Sequence, residues 1–310
     1  MAIKQSVLIC DKVDGILNKI LVENGLKVSY KPEITPAQLS EEISQFDIVV
    51  VRSRTRLTSD IISKATKCQI IARVGVGLDN VDLAAAKTKE IRVINAAEGA
   101  TTSVAELVLA MMLGLARQVP FMDRSMRNDK WLKKQATGSE LKGKYLGIIG
   151  LGNVGKRLGR LARGLNMNII GYDVIPIDQE FAREVGLFKA DLDTLLQSSD
   201  YVSIHVPLLD STHHMLNNEK FALMKPTARI INTSRGGVVD EDALYDALKK
   251  RRLGGAALDV FESEPATKHR LADLDNVILT PHIGAQTAEA QSLAANIVAE
   301  KIVQILRGVI

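Results

Sequence analysis

The chain has 310 residues, of which 46% are hydrophobic and 25% charged, with 40 basic and 36 acidic side chains and a net charge of +4. That balance fits a globular protein of one large or two ordinary domains, and with no arginine/lysine tract it argues against nucleic acid as a partner. Cys10 and Cys68 stand far apart without C-x-x-C spacing, which excludes a disulfide framework and a zinc or iron–sulfur site and predicts two small buried hydrophobes.

The N-terminal MAIKQSVLIC runs straight into a strand and lacks the features of a signal peptide, so a cytoplasmic location is expected. SVLIC, LKVSY, FDIVVV and QIIARV then read as strands, alternating with the helical patterns DGILNKILVENG and ITPAQLSEEI. The apolar helix SVAELVLAMMLGLARQ contains Glu106 and is too short to cross a bilayer, so it should be a buried or interface helix. A polar stretch follows. A second series then begins: YLGIIG, MNIIGYD, YVSIHV, ARIINT, GGAALDV and NVILT, closed by the helix AEAQSLAANIVAEKIVQIL. Apolar strands alternating with helices predict parallel sheets covered on both faces, hence an α/β fold with two doubly wound domains. The last helix can return to the first domain and make it discontinuous in sequence. The predicted division is residues 1–97 with 284–310, and residues 98–283.

The second series opens on Gly150-x-Gly152-x-x-Gly155 between a strand and a helix. The first glycine allows the tight turn, the second lets a pyrophosphate approach the backbone, and the third lets helix and strand pack closely. Asn153 and Val154 lie inside the motif. The next strand ends in Tyr172-Asp173, and Asp173 stands 23 residues after Gly150, near the roughly 20 expected for an acid on the ribose 2′-hydroxyl. An acid there repels a 2′-phosphate, which favours NAD over NADP. P-loop spacing and HExxH are absent, so neither nucleotide hydrolysis nor a metal is expected.

Ligands of doubly wound folds bind beyond the carboxyl ends of the strands. ARIINT runs into Ser234-Arg235-Gly236-Gly237, GGAALDV into Phe261-Glu262-Ser263-Glu264-Pro265, and NVILT into Pro281-His282. An arginine, one or two carboxylates and a histidine should gather there. Hydride transfer at a 2-hydroxy acid requires that set. A histidine takes the hydroxyl proton, a glutamate orients its ring, and an arginine forks the substrate carboxylate. Glu262 and Glu264 are two apart on an extended segment, and position alone does not choose between them.

VVRSRT, ARVGVGLDNVD, TSVAELVLAMMLGLARQ, GKYLGIIGLGNVGKRLGR, YVSIHVPLLDST, NTSRGGVVDEDAL, GGAALDVFESEP and LTPHIGAQT together resemble the D-isomer-specific 2-hydroxyacid dehydrogenases over nearly the whole chain. The phosphoglycerate-oxidising branch is the most similar. The resemblance implies a Rossmann-type NAD domain inserted in a flavodoxin-like substrate domain. It implies His282 as acid/base, Glu264 as its partner and Arg235 as the substrate-orienting residue. It places Asp259 near the nicotinamide carboxamide, His205, Val206 and Pro207 on the adenine side, and Thr212, Thr233, Ser234 and Gly284 on the cofactor. It puts Arg52, Ser53, Arg73, Gly75, Val76 and Gly77 on the substrate, with Arg52 meeting a phosphate. Arg52, Arg54 and Arg56 alternate and could project together. A homodimer through the helix near Thr102–Arg117 is implied, with Lys130–Lys134 reaching the partner's site.

The expected reaction is NAD-dependent oxidation of D-3-phosphoglycerate to 3-phosphohydroxypyruvate, the first step of phosphorylated serine biosynthesis. Reduction of glyoxylate or hydroxypyruvate is the alternative. An NAD-sensing corepressor of the same fold is a third reading, disfavoured by the arginine-rich substrate side. The chain stops after IVQILRGVI, where longer relatives carry regulatory domains, so feedback through such a domain is not expected. His213, His214 and His269 read as solvated surface residues, and Asp79 and Asp82 as helix caps.

Overall fold

The computed structural model describes residues 5–309; part of the N-terminal stretch read for a leader lies outside the described residues. The described chain forms two compact units. Residues up to Thr101 and from Ala285 onward form one, and Thr102–Gly284 form the other.

The first unit holds strands β1 (Ser6–Ile9), β2 (Lys27–Tyr30), β3 (Ile48–Val51), β4 (Ile70–Arg73) and β5 (Arg92–Asn95), all parallel, in the order β2-β1-β3-β4-β5. β1, β3 and β4 are central and their apolar runs are buried, as continuous Val/Ile runs in a parallel sheet should be. β5 was not read from the sequence: its charged Arg92 is exposed at the sheet edge. Helix Ala288–Leu306 belongs to this unit and buries Ala294, Ala295, Val298, Ala299 and Ile302 against Leu17, Leu21, Val50 and Ala72. Spacings of three and four put those residues on one face. Its N-cap Thr287 accepts from the Ala290 amide.

The second unit holds β6 (Tyr145–Ile149), β7 (Asn168–Tyr172), β8 (Phe188–Lys189), β9 (Tyr201–Ile204), β10 (Arg229–Asn232), β11 (Gly255–Leu258) and β12 (Val277–Leu279). They form a parallel sheet in the order β12-β11-β10-β9-β6-β7-β8. The two-residue β8 is too short to carry a periodic signal. Helix Thr101–Arg117 buries Ala105, Val108, Met111, Met112 and Leu115 beside Leu146, Ile148 and Tyr201. Among the described residues no single helix is long and apolar enough to cross a membrane.

Strand order turns back on itself between β6 and β9 in the second sheet and between β1 and β3 in the first. At such a point the loops beyond the strands diverge and leave a crevice. The loops after β6 and β9, and those after β1 and β3, are therefore the places where each unit can take a ligand. Cys10 and Cys68 are buried in the first unit, and burial pushes both thiols up to about 12, so they remain neutral.

Candidate functional site

The glycine turn after β6 is shaped by three different demands. Gly150 has φ +91°, and a Cβ there would stand 2.6 Å from the His205 carbonyl oxygen. A Cβ on Gly155 would stand 2.1 Å from the Gly150 carbonyl oxygen, so the helix Asn153–Gly164 can approach β6 only with glycine there. At Gly152 a Cβ would meet nothing within 4 Å. The protein itself does not require that glycine, whereas a pyrophosphate lying on the helix N-terminus would. No side chain caps this helix end. Among the described residues, Thr233 Oγ1 is also buried without a partner. An open glycine at an uncapped helix end and an orphaned hydroxyl both fit the phosphates and sugar of a dinucleotide.

Asp173 follows β7. Its Oδ2 accepts from the Leu151 amide at 2.6 Å and its Oδ1 from the Ile175 amide at 3.0 Å. The acid is thereby fixed beside the glycine turn. It also lines, with Tyr172, Phe188, Lys189, Ala190, Asp191 and Thr194, a cavity of about 480 Å³. After β9, His205 is half-buried and its Nε2 lies 2.8 Å from Ser203 Oγ; Val206 packs on an apolar cluster of the unit. Thr212 ties its own turn, donating to the Pro207 carbonyl at 2.7 Å and accepting from the Leu209 amide at 2.8 Å.

The turn after β10 is organised by Asn232, which the sequence reading passed over. Its buried Oδ1 accepts from the Ser234 amide and hydroxyl at 3.0 and 2.8 Å. Its Nδ2 donates to the Arg235 carbonyl at 2.8 Å. Arg235 Nη1 donates to the Ser234 carbonyl at 2.6 Å. A Cβ on Gly236 would fall 1.9 Å from the Phe261 carbonyl carbon, so this turn rests directly on the loop after β11.

That loop begins at Asp259, which is fully buried. A buried carboxylate needs donors, and Asp259 takes them from the next loop: Thr280 Oγ1 at 2.6 Å and the Ile283 and Gly284 amides at 2.8 Å each. Between those donors stands His282, in the left-handed region with φ +53°. Ser103 adds a 2.6 Å bond to the Gly284 carbonyl. The Asp259 carboxylate thus organises the histidine loop.

Glu264 Oε2 lies 2.8 Å from His282 Nδ1, and its Oε1 accepts from the Phe261 amide at 3.2 Å. Glu262 instead lies 2.9 Å from His214 Nε2 and accepts from the Glu241 amide. The geometry separates two acids that position alone left equal. It also corrects the reading of His269 as a surface residue: its side chain is 16% exposed and its Nε2 is 2.8 Å from Glu241 Oε2. His214 likewise is partnered and stacks on His213 at 4.0 Å. Asp82 caps its helix as read, accepting from the Ala85 amide.

In the first unit the loop after β3 is built on Asp11, a buried acid two residues beyond β1. It accepts from the Arg52 amide at 2.5 Å and from Thr55 Oγ1 at 2.6 Å, and it pairs with the Arg54 guanidinium at 3.1 Å. Arg54 also donates to the Cys10, Pro32 and Ile34 carbonyls. Arg52 and Arg54 therefore do not share a face: Arg54 is tied inward. The Arg52 guanidinium reaches Gln286 Oε1 at 3.2 Å and Gln291 Oε1 at 3.4 Å, two neutral acceptors. Arg73 Nε donates to the Arg52 carbonyl at 3.4 Å, and its guanidinium lies 2.8 Å from where a Gly75 Cβ would be, so Arg73 folds over Gly75. Ser53 and Val76 are exposed, and Gly77 follows in the same loop. Among the described residues no group of acids, histidines or cysteines could hold a metal ion.

Residues 109–284 match the family described as D-isomer specific 2-hydroxyacid dehydrogenase, NAD binding domain. The chain is 45% identical over 303 residues to D-3-phosphoglycerate dehydrogenase of Methanocaldococcus jannaschii, covering 97% of this chain and 57% of that protein; it spans little more than half the length of the curated relatives it matches. Among solved structures it superposes on the TT0316 protein of Thermus thermophilus with TM-score 0.88 at 31% identity, covering 98% of this chain and 97% of the other. It also superposes on a glyoxylate reductase from Paecilomyes thermophila with TM-score 0.89 at 27% identity, covering 98% and 95%.

Burial pushes the His205 ring down to about 4 from its ordinary 6.5. The folded protein therefore holds it neutral where the unfolded chain takes up a proton. Its stabilising effect is complete above the unfolded value and is lost as pH falls from about 6.5 toward 4, by at most roughly 1.4 kcal/mol per pH unit. Urea unfolding at pH values across that window should show this slope, and His205→Gln should flatten it. An equal slope in the variant would assign the loss to other groups.

Proposed function

The chain belongs to the D-isomer-specific 2-hydroxyacid dehydrogenase family, and on that premise we propose that it oxidises D-3-phosphoglycerate at C2 with NAD as hydride acceptor. The observation that carries the chemistry is the 2.8 Å bond between His282 Nδ1 and Glu264 Oε2 at the carboxyl edge of the sheet that bears the glycine turn. Glu264 holds the ring by Nδ1, which leaves Nε2 for the substrate. In the oxidative direction Nε2 accepts the C2 hydroxyl proton, and in the reductive direction it returns it. Arg235 forks the substrate carboxylate and polarises the C2 oxygen. When bound, NAD supplies the acceptor for the hydride that leaves C2.

The residues present favour NAD. Asp173 is fixed by the Leu151 and Ile175 amides beside the turn, where its charge accepts from a ribose hydroxyl and repels a 2′-phosphate. Gly150, Gly152 and Gly155 with the amides of Asn153 and Val154 form the phosphate cradle. His205, Val206, Pro207 and Thr212 flank the adenosine side, and Thr233, Ser234 and Gly284 the nicotinamide side.

A phosphorylated acid is favoured over glyoxylate for two reasons. The curated relatives at 41–45% identity carry the name D-3-phosphoglycerate dehydrogenase. Arg52 keeps its guanidinium on two neutral carboxamides, so its charge remains available to an anion, and Arg73, Gly75, Val76 and Gly77 lie in the neighbouring loop of the same unit. We take the working form to be a homodimer through the helix Thr101–Arg117, with the Lys130–Lys134 segment directed to the partner, and its location to be cytoplasmic.

His282→Ala should lower kcat roughly 10²–10⁴-fold, the scale of general acid–base catalysis, measured as NADH formation from 3-phosphoglycerate. A rate near wild type would remove His282 from the reaction. Arg52→Ala should raise KM for phosphohydroxypyruvate far more than KM for hydroxypyruvate in the reductive assay. Equal increases for the two would show that Arg52 does not meet the phosphate.

A further inference from the structure

The loop that carries Glu264 is held from its far side by groups that take no part in the proposed reaction. Glu241 opens the helix Glu241–Lys249, whose N-cap is Asp240. The Glu262 amide donates to Glu241 Oε1 at 2.8 Å, and the Glu241 amide donates back to Glu262 Oε1 at 3.3 Å. This reciprocal pair locks the loop backbone, two residues before Glu264, to the first turn of a helix. The second Glu241 oxygen is also used. Oε2 lies 2.8 Å from His269 Nε2, and the two side chains are only 14% and 16% exposed. His269 Nδ1 accepts from the Leu271 amide at 3.3 Å, which assigns the proton to Nε2 and makes that nitrogen the donor to Glu241. The His269 ring lies tilted against Phe261, with centroids 5.2 Å apart.

The loop is thus gripped at two adjacent residues: Phe261 by the His269 ring and the Gly236 turn, and Glu262 by Glu241 and His214. Among the described residues Glu264 has less support: its Oε1 accepts from the Phe261 amide of the same loop at 3.2 Å, and its Oε2 faces His282. Its place against the imidazole therefore depends on where residues 261 and 262 are fixed. The other charged groups around Glu241 are paired with one another: Arg270 with Asp242, and His214 with Glu262 and, at 4.0 Å, Asp240.

We propose that Glu241 is a positioning residue for the His282–Glu264 pair, acting through the Glu262 amide and buttressed by His269. The proposal rests on the reading of His282 and Glu264 as the acid/base pair. Displacement of a catalytic group by about an ångström can cost on the order of a hundredfold in rate, so a side chain remote from the reacting atoms can matter to the chemical step while leaving cofactor binding intact.

The test is rapid-mixing NADH formation from 3-phosphoglycerate by the NAD-loaded enzyme, with rates expressed per NADH-binding site so that unfolded protein does not count. Glu241→Ala should slow the step roughly ten- to a hundredfold with KM for NAD unchanged. Glu241→Gln, whose carbonyl still accepts from the Glu262 amide, should recover most of that loss. Should Glu241→Ala not fold, His269→Ala must show the same split between rate and KM. A wild-type rate per site in Glu241→Ala, or a Gln variant as slow as the Ala variant, overturns the proposal. Glu264→Gln separates the two readings: if it is slow and Glu241→Ala is not, only the positioning role fails; if wild type makes no NADH or Glu264→Gln is as fast, the assignment of the pair itself fails.

Discussion

A fully buried carboxylate must find its donors in the protein, and among the described residues Asp259 finds them on one neighbouring loop. The bonds from Thr280 Oγ1 and from the Ile283 and Gly284 amides leave the chain after β12 a single course. That course puts His282 at φ +53°, in the left-handed region that non-glycine residues visit uncommonly. Glu264 then meets a ring whose place is already decided. The place of the His282–Glu264 pair thus follows from a buried carboxylate one strand away, whose bonds also hold the positive-φ backbone at His282.

The first unit repeats the device with different side chains. Asp11, buried two residues beyond β1, receives the Arg52 amide and the Thr55 hydroxyl and pairs with Arg54. In both units a buried acid just beyond a strand fixes the loop that presents a side chain of the proposed site: His282 in one, Arg52 in the other. Parallel strands leave their carboxyl ends side by side, so one acid can organise the loop of its neighbour. Asn232 does the same for the turn at Arg235 with a neutral amide.

The central strands were legible because continuous apolar runs such as Ile48–Val51 and Leu146–Ile149 have few alternatives to a buried parallel strand. The helix Ala288–Leu306 was legible from its spacing alone. β5 was not, since Arg92 interrupts it at an exposed edge, and β8 has only two residues. The glycine motif announced its turn, yet only the structure distinguishes Gly155, excluded from any side chain by the Gly150 carbonyl, from Gly152, which the protein leaves open. Side-chain direction was the hidden quantity. Alternation suggested that Arg52 and Arg54 project together, whereas a buried acid and three carbonyls draw Arg54 inward. Position alone left the two acids at 262 and 264 equal; the family pattern pointed to 264, and their partners, His214 and His282, separate them in the structure.

The most direct measurement is substrate choice, read from the absorbance of reduced nicotinamide. 3-Phosphoglycerate would be tested with NAD and NADP, and phosphohydroxypyruvate, hydroxypyruvate and glyoxylate with NADH and NADPH. The account predicts the highest kcat/KM for the phosphorylated acids with the unphosphorylated dinucleotide, because it assigns the phosphate to Arg52 and the ribose to Asp173. A preference for glyoxylate or hydroxypyruvate, or for NADPH, would contradict it.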